Sequence, residues 1–420
     1  MENGFTLPLE QEPDAKEGLA DLLKVLVVDD QVSVVRTVAK MVHDSGYFSI
    51  IDVADDGEQA WSKISKRPAD QYDVVITDLY MPKLDGIGLI GRCHKSSIAR
   101  DVSFMVITGE TNPEVFAALS EMGVLECLVK PFSFKLFMDR INVFLQRLTD
   151  PVEKSYTEVS HLIADGDYRE ALAKLQQLDK SELVKPKWLN MKGEIYLGMG
   201  FLNHARECIE QALKSCEGYL TALCNQAKLE EKAGNLAAAA AALEKADAIS
   251  PLMVDRKIDL SDLFFQLDRD EEGKEMLCKA GAMTQDVDTK LEVSEKLTKK
   301  GYTKEADKII SRLLSFKFSG IENCNKIGIS LRKQGKYREA ERSYMSALTY
   351  HPDNAAIYYN MGVLYLYEAK SMRATECFTK AMKLNPEFSK ARAMLDCHCS
   401  ADSEKSMAAA KALAREVFEV

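Results

Sequence analysis

The sequence has little of what marks an exported, membrane-spanning or disulfide-bonded protein. No run of about 18 apolar residues occurs, and the opening residues MENGFTLPLEQEPDAKEG do not place a basic segment before an apolar one. The 420 residues include ten cysteines, but no pair has C-x-x-C spacing. These absences predict a cytoplasmic protein that does not insert into membranes and whose cysteines are free thiols.

The sequence also lacks the excess of positive charge that is typical of nucleic-acid-binding proteins. It has 55 lysines and arginines against 65 aspartates and glutamates, which gives a formal net charge of −10. After residue 150 there is neither a helix-turn-helix pattern nor a basic stripe. We therefore do not expect nucleic acid to be a partner.

One short stretch, VVITDLYMPKLDG at residues 74–86, predicts a buried strand that ends on a carboxylate. Its first four residues favour strands and lead directly into Asp78, and a loop with Met81-Pro82 and Asp85-Gly86 follows. In open α/β sheets, ligands bind beyond the carboxyl ends of the strands. Asp78 is therefore a candidate reactive group on a rigid support.

Three further apolar segments end on polar residues in the same way. KVLVVDDQ ends in Asp29 and Asp30, VSFMVITGE ends near Thr108, and VLECLVKPF ends at Lys130. Segments with helical apolar spacing separate them, so strand and helix alternate about five times. The pattern predicts an α/β doubly wound parallel sheet whose carboxyl edge brings these side chains together.

This predicted cluster has the parts of a phosphoryl-transfer site. Three carboxylates at one edge repel each other, so they need a cation or a raised pKa at neutral pH. Oxygen ligands favour Mg²⁺. Lys130 adds a positive charge and Thr108 a hydroxyl, and both are suited to hold phosphoryl oxygens while Asp78 acts as the nucleophile.

Residues 22 to about 148 resemble the flavodoxin-like receiver domain of two-component response regulators (CheY-like). That family carries, in order, an acid pair, a central Asp, a Thr or Ser and a Lys-Pro, and here these are Asp29-Asp30, Asp78, Thr108 and Lys130-Pro131. The resemblance implies that Asp78 accepts a phosphoryl group from a histidine kinase or a histidine phosphotransfer protein. It also implies a Mg²⁺ site, whose predicted ligands are Asp29, Asp30, Asp78 and the Tyr80 backbone carbonyl.

The same resemblance assigns two tuning positions and exposes one departure. Tyr80 and Glu110 each follow a site residue by two positions, where the family tunes the attack of water and so the phosphoryl lifetime. Three residues before Lys130 the family often carries an aromatic residue that moves inward on activation. Here that position is Cys127, which departs from the pattern on which the usual aromatic coupling rests.

Small residues recur at a fixed period after residue 150. They are Ala171, Ala205, Ala239, Gly273, Ala306, Ala340 and Ala374, at successive intervals of 34, 34, 34, 33, 34 and 34 residues. A regular period of this length is typical of helical repeat proteins. Residues 152–390 are similar to the tetratricopeptide repeat (TPR) family in about seven units, which implies an all-α solenoid whose groove binds a protein or peptide.

The groove residues should come from the first helix of each repeat unit, on the face opposite the packing positions. This reasoning selects Asn190, Asn325, Arg332, Lys333, Tyr359 and Val363. Their polar, basic and aromatic character suits peptide binding, but the alternative that they are merely solvated stays open.

The sequence therefore predicts four segments: a mobile tail at 1–21, a receiver at 22–149, the repeats at 152–390, and a capping helix or tail at 391–420. We interpret the chain as a phosphoacceptor signalling protein, not an enzyme beyond slow self-dephosphorylation, in which the receiver controls protein binding by the repeats. The alternative is a constitutive receiver-repeat scaffold that does not depend on phosphorylation. A homodimer is also compatible with the sequence.

Overall fold

The computed structural model describes residues 23–66, 72–124, 126–178, 185–315 and 321–399. The predicted tail at 1–21 lies outside these residues, as does most of the predicted segment 391–420. The chain divides into two compact units, Met1–Asp286 and Val287–Val420. Among the described helices, none is both long and apolar enough to cross a membrane.

The first part of the chain forms a parallel sheet of five strands in the order β2-β1-β3-β4-β5. The strands are β1 (Leu23–Val28), β2 (Phe48–Ala54), β3 (Val74–Thr77), β4 (Ser103–Thr108) and β5 (Glu126–Val129). The alternating helices are α1 (Val32–Ser45), α2 (Gly57–Ser65), α3 (Gly86–His94), α4 (Pro113–Glu121) and α5 (Phe134–Thr149). The predicted doubly wound α/β fold is confirmed.

Burial on both faces explains why the central strands are continuously apolar. In β1, Val25 and Val27 face a core shared with α1 and α5, while Leu26 and Val28 face a second core shared with α2, α3 and α4. Successive side chains of a strand point to opposite faces, so a strand covered on both sides needs apolar residues at every position.

The strand register aligns the ends that carry the candidate site. Val28 of β1 pairs with Thr77 of β3, so Asp29 and Asp78 follow at the same level. Thr108 of β4 pairs with Val129 of β5, directly before Lys130. The parallel pairing therefore places these side chains along one edge of the sheet.

Helices in antiparallel pairs follow the sheet, which confirms the predicted all-α repeat region. The helices in unit Met1–Asp286 are α6 (Pro151–Asp165), α7 (Tyr168–Leu175), α8 (Pro186–Gly198), α9 (Leu202–Ser215), α10 (Leu220–Lys232), α11 (Leu236–Ile249), α12 (Val254–Gln266) and α13 (Asp270–Met283). Those in unit Val287–Val420 are α14 (Val287–Lys299), α15 (Thr303–Ser315), α16 (Ile321–Lys333), α17 (Tyr337–Tyr350), α18 (Ala355–Tyr367), α19 (Ser371–Leu384) and α20 (Ser389–Cys399). The buried Ala391 and Met394 of α20 belong to the same core cluster as α18 and α19.

A single residue, Asp150, connects α5 of the receiver to α6 of the repeats. Asp150 ends α5, and its side chain accepts a hydrogen bond of 2.9 Å from the Val152 backbone N–H at the start of α6. An aspartate at this position satisfies one of the free N–H groups of the helix N-terminus, and Pro151 suits the first helical turn.

A small residue in the first helix and a large one in the second hold the helices of a pair together. Gly362 of α18 lies against the Phe378 ring of α19, and Gly328 of α16 lies in the same way against the Tyr344 ring of α17. Both rings are fully buried. The 34-residue spacing of these glycines and rings therefore repeats one packing contact.

Four of the six predicted groove residues are buried, so their prediction as an open surface is wrong. Asn190, Arg332 and Tyr359 are 3 to 5% exposed and Val363 is fully buried. Neighbouring helices cover them: Asn190 accepts a hydrogen bond from Asn225, and Tyr359 packs between the rings of Phe378 and Phe388. The first helices of neighbouring repeats pack on each other. Side chains that the sequence pattern places on an open surface are therefore covered.

The other two predicted groove residues are accessible. Asn325 is half-buried and accepts a hydrogen bond of 2.7 Å from the Asn360 side-chain amide, while Lys333 is exposed. Lys333 lines a cavity of about 310 Å³ between α14 and α16, together with Asp288, Leu291, Glu292, Glu295, Lys326, Ile329 and Ser330. A role for these two residues in binding stays a prediction.

Candidate functional site

Three carboxylates meet at the carboxyl edge of the sheet. Oxygen atoms of Asp29, Asp30 and Asp78 all lie within 4.8 Å of one another. Asp29 and Asp78 are buried, whereas Asp30 is exposed. The two buried acids thus form the inner wall of the site, and Asp30 lies at its opening.

Lys130 joins the two buried acids. Its ammonium group lies 2.7 Å from Asp29 Oδ2 and 2.7 Å from Asp78 Oδ2. Burial alone lowers the pKa of Lys130, but hydrogen bonds to the two acids and their negative charges outweigh it, so the pKa lies above the ordinary value. Lys130 is therefore protonated and offsets part of the negative charge.

The backbone fixes the carboxylate of Asp78. Its Oδ1 atom accepts a hydrogen bond of 2.6 Å from the Leu79 N–H, while the Asp78 N–H donates to the Val28 carbonyl at 2.9 Å. Gly86 lies directly against this segment, because a Cβ atom there would overlap the Asp78 carbonyl oxygen. The loop after β3 therefore needs a glycine at position 86 to close over Asp78.

Thr108 lies on the same edge and is fully buried. Its Oγ1 atom accepts a hydrogen bond of 3.1 Å from the Glu110 N–H. The Glu110 carboxylate in turn accepts bonds from the backbone N–H groups of Thr111 and Asn112. Asn112 caps α4 through a side-chain bond from the Glu114 N–H, so a hydrogen-bonded chain leads from Thr108 to α4.

The two predicted tuning residues face each other across the opening. Tyr80 is 59% exposed, and its hydroxyl lies 3.5 Å from Glu110 Oε2. Burial and the nearby charge of Glu110 raise the pKa of Tyr80, so it is a neutral phenol at ordinary pH. The charges of Asp85 and Asp78 also act on Tyr80, so the pair lies near the acids of the site, and its role in tuning the phosphoryl lifetime stays a prediction.

Cys127 lies on β5, half-buried. Burial, with the charge of Glu126, raises the pKa of its thiol to about 11. A protonated thiol has neither the bulk nor the hydroxyl of a tyrosine, which is the difference between this position and the family pattern.

The donor set suits a hard divalent cation. All three acids offer oxygen atoms, and the charge of Lys130 offsets only one of three negative charges. Asp30 and Asp78, with the Tyr80 carbonyl and Asp29, are the residues predicted to hold Mg²⁺, whose chemistry would be to neutralise phosphoryl oxygens.

The sequence patterns missed two features around the site. Asp56 caps α2, and its carboxylate forms an ion pair with Lys83 in the loop after β3, a residue with positive φ. Glu121, at the end of α4, forms an ion pair with Arg256 of α12. The cap at Asp56 is readable from its position before a helical segment, but no local signal links Glu121 to a residue 135 positions away.

The sheet topology and the acids at its edge are those of a class of domain, the response regulator receivers. Comparison with family models agrees: the response regulator receiver domain matches residues 25–142. Tetratricopeptide repeat models match residues 190–253, 328–366 and 355–388.

Curated relatives that consist almost entirely of a receiver are similar to the first part of the chain. The chemotaxis protein CheY1 of Helicobacter pylori is 31% identical over 124 residues, which is 29% of this chain and 97% of the relative. A probable chemotaxis protein CheY of Rhizobium etli is 30% identical over 117 residues, covering 28% of this chain and 88% of the relative. The chain belongs to the response regulator receiver family, and its receiver is followed by tetratricopeptide repeats.

Other relatives are longer and match only in part. The probable transcriptional regulator ycf27 of Guillardia theta is 34% identical over 140 residues, which is 33% of this chain and 52% of that protein. The chain spans about half the length of this relative, and 55% of the transcriptional regulatory protein CitT of Halalkalibacterium halodurans. Among solved structures, the chemotaxis protein CheY4 of Vibrio cholerae is 30% identical, with a TM-score of 0.27, 30% coverage of this chain and 99% of that one.

Proposed function

We propose that Asp78 accepts a phosphoryl group and that the change controls protein binding by the repeats. The donor would be a phosphohistidine of a histidine kinase or a histidine phosphotransfer protein. In the transfer, an Asp78 carboxylate oxygen forms the new bond to phosphorus, the P–N bond to the donor breaks, and the released histidine nitrogen takes up a proton from water. The organisation that we propose for this function is a receiver at 22–149 and repeats at 152–390.

One observation carries the proposal: the Asp78 carboxylate is fixed by backbone N–H bonds while Lys130 lies 2.7 Å from its other oxygen. A nucleophile held in one orientation beside a cation suits phosphoryl transfer, which depends on positioning and on charge neutralisation. Thr108 and Lys130 would hold the transferred group. Asp29 and Asp30, with Asp78 and the Tyr80 carbonyl, would hold Mg²⁺.

The test uses acetyl phosphate with Mg²⁺, followed by intact-mass measurement of the full chain. We expect the wild type to gain the mass of one phosphoryl group and Asp78→Ala to gain none. Asp101→Ala, which removes an exposed acid outside the site, is the matched control and should behave as the wild type. Chelation of Mg²⁺ should abolish the gain, and an equal gain in Asp78→Ala would refute the assignment.

The constitutive scaffold keeps one observation in its favour. Leu252 and Met253, in the turn before α12, pack against the core cluster of the receiver. Such a contact would hold receiver and repeats together whether or not Asp78 is modified. A wild type that gains no phosphoryl mass under the conditions above would favour this alternative.

A further inference from the structure

The α3 and α4 side of the receiver lies against the repeat helices within unit Met1–Asp286. Three basic receiver residues pair with acids of the repeat region: Arg92 with Asp286, Lys95 with Asp255 at 2.8 Å, and Arg100 with Asp165 at 2.6 Å. The Lys95 and Asp255 side chains are both more than half exposed, so water and salt weaken their pair. The Lys95–Asp255 and Arg100–Asp165 pairs therefore contribute little to holding the two surfaces together, whereas the Arg92–Asp286 pair is largely buried.

The Glu121–Arg256 pair differs from the Lys95–Asp255 and Arg100–Asp165 pairs by its burial, and from all three by its reversed polarity, with the acid on the receiver. Two guanidinium nitrogens of Arg256 donate to the two Glu121 oxygens at 3.1 and 2.7 Å. The Arg256 side chain is 3% exposed and that of Glu121 10%. Breaking such a two-bond pair leaves one buried charge uncompensated, so contact between the two surfaces depends on it far more than on the exposed pairs.

Apolar packing and local charge surround this pair. The core cluster that includes Val115, Leu119 and Met122 of the α4 region also contacts Leu252 and Met253. Burial raises the pKa of Glu121, and the charge of Arg256 offsets part of that rise. Asp247, 4.0 Å from Arg256 Nε, is itself paired with Lys257.

A continuous set of contacts joins this pair to the candidate phosphoryl site. Thr108 bonds to Glu110, Glu110 bonds to Asn112, and Asn112 caps the N-terminus of α4, which ends at Glu121. A short helix moves as one piece, because its hydrogen bonds are internal. If Thr108 Oγ1 turned toward a group on Asp78, it would lose its bond from the Glu110 N–H, and the support of α4 would change.

From this geometry we propose that the repeats bind their own receiver through the Glu121–Arg256 pair, and that phosphorylation of Asp78 releases this contact. This inference rests on the proposed function, and it identifies the contact between receiver and repeats that phosphorylation would change. The regulated contact is internal to unit Met1–Asp286, and its opening would expose the surfaces of α10 and α12 that now face α4.

Cys224 of α10 provides a native reporter for this contact. Its sulfur lies 3.9 Å from Glu121 Oε1 and 3.8 Å from Arg256, and burial raises the pKa of the thiol. Cys224 is half-buried, and a partly covered, protonated thiol reacts slowly with N-ethylmaleimide. Cys216, exposed, and Cys208, buried in the repeat core, are internal controls for reagent activity and for general unfolding.

The experiment measures the alkylation rate of each cysteine by peptide mass spectrometry, with and without acetyl phosphate and Mg²⁺. Intact mass of the same samples gives the phosphorylated fraction. We expect phosphorylation to raise the Cys224 rate by about tenfold, with Cys216 and Cys208 unchanged. Asp78→Ala should show no rise.

Two variants test the pair itself without acetyl phosphate. Glu121→Gln keeps the shape but removes the charge, and it should raise the Cys224 rate while Cys208 stays protected. Exchanging the charges in Glu121→Arg with Arg256→Glu should return the rate toward that of the wild type. A rise at Cys208 in step with Cys224 would mean general unfolding and would overturn the proposal.

The outcomes separate the inference from the function on which it rests. Phosphorylated wild-type protein with an unchanged Cys224 rate would overturn the inference and leave Asp78 as the acceptor. Wild-type protein that gains no phosphoryl mass would overturn both.

Discussion

At the scale of single residues, Lys130 is the group on which the acid cluster depends most. It forms both of the short ion pairs of the site, to Asp29 and to Asp78. Without it, the buried carboxylates of Asp29 and Asp78 would lose the cation that forms an ion pair with each of them. Besides the role that we propose for it in holding a phosphoryl group, Lys130 therefore stabilises the fold of the receiver.

We predict that Lys130→Met lowers the free energy of unfolding at pH 7, without Mg²⁺, by about 1.5 to 3 kcal/mol, the usual contribution of charge-assisted hydrogen bonds. Because the folded-state pKa of Lys130 is raised, its contribution is complete below the ordinary lysine value of 10.5 and is lost as the pH rises through the folded-state pKa. The difference between variant and wild type should therefore shrink in strongly alkaline solution. Urea unfolding at several pH values measures it.

Lys135→Met, at an exposed position of α5, is the control and should change stability little at any pH. A loss in Lys130→Met that is the same on both sides of pH 10.5 would contradict an electrostatic role for this lysine.

At the scale of elements, the repeat period predicts which helices pair, and it does so because one packing contact recurs. Gly362 and Phe378 are 16 positions apart, as are Gly328 and Tyr344, and each glycine lies against its ring. The period did not predict exposure, however. Val363 and Tyr359 follow the spacing of groove positions but are covered by neighbouring helices, and this contact depends on how successive pairs stack.

We predict that Gly362→Ala destabilises the repeats by about 1 to 3 kcal/mol, the usual effect of overpacking. The new Cβ would lie 2.5 Å from the Phe378 ring, which is fully buried and has no free space to enter. Thermal unfolding followed by circular dichroism measures the change. Gly362→Ala combined with Phe378→Leu should lose less stability than the sum of the two single variants.

Gly218→Ala is the matched control, because its Cβ would lie 3.8 Å from the nearest atom, Ile249 Cδ1, an ordinary contact. We expect it to be neutral or slightly stabilising. Equal destabilisation by both substitutions would show that helix packing at Gly362 is not the cause.

At the scale of the whole molecule, the sequence predicts both folds and the residues at the sheet edge, but not how receiver and repeats meet in unit Met1–Asp286. The edge is predictable because the carboxyl ends of parallel strands lie at the same edge of a sheet. Asp29, Asp78 and Thr108 each come at or just after the end of such a strand. Glu121 and Arg256 belong to no motif and lie 135 positions apart. Their pairing depends on how the receiver and the repeats pack together, and a local sequence pattern does not predict such packing.

The central claim is that Asp78, among three clustered acids, is the one that receives the phosphoryl group. The most direct test treats the phosphorylated full chain with sodium borohydride, which reduces an acyl phosphate to an alcohol and so converts the modified aspartate to homoserine. Peptide sequencing by mass spectrometry then locates that residue. The account predicts homoserine at position 78 alone; homoserine at position 29 or 30 would contradict it.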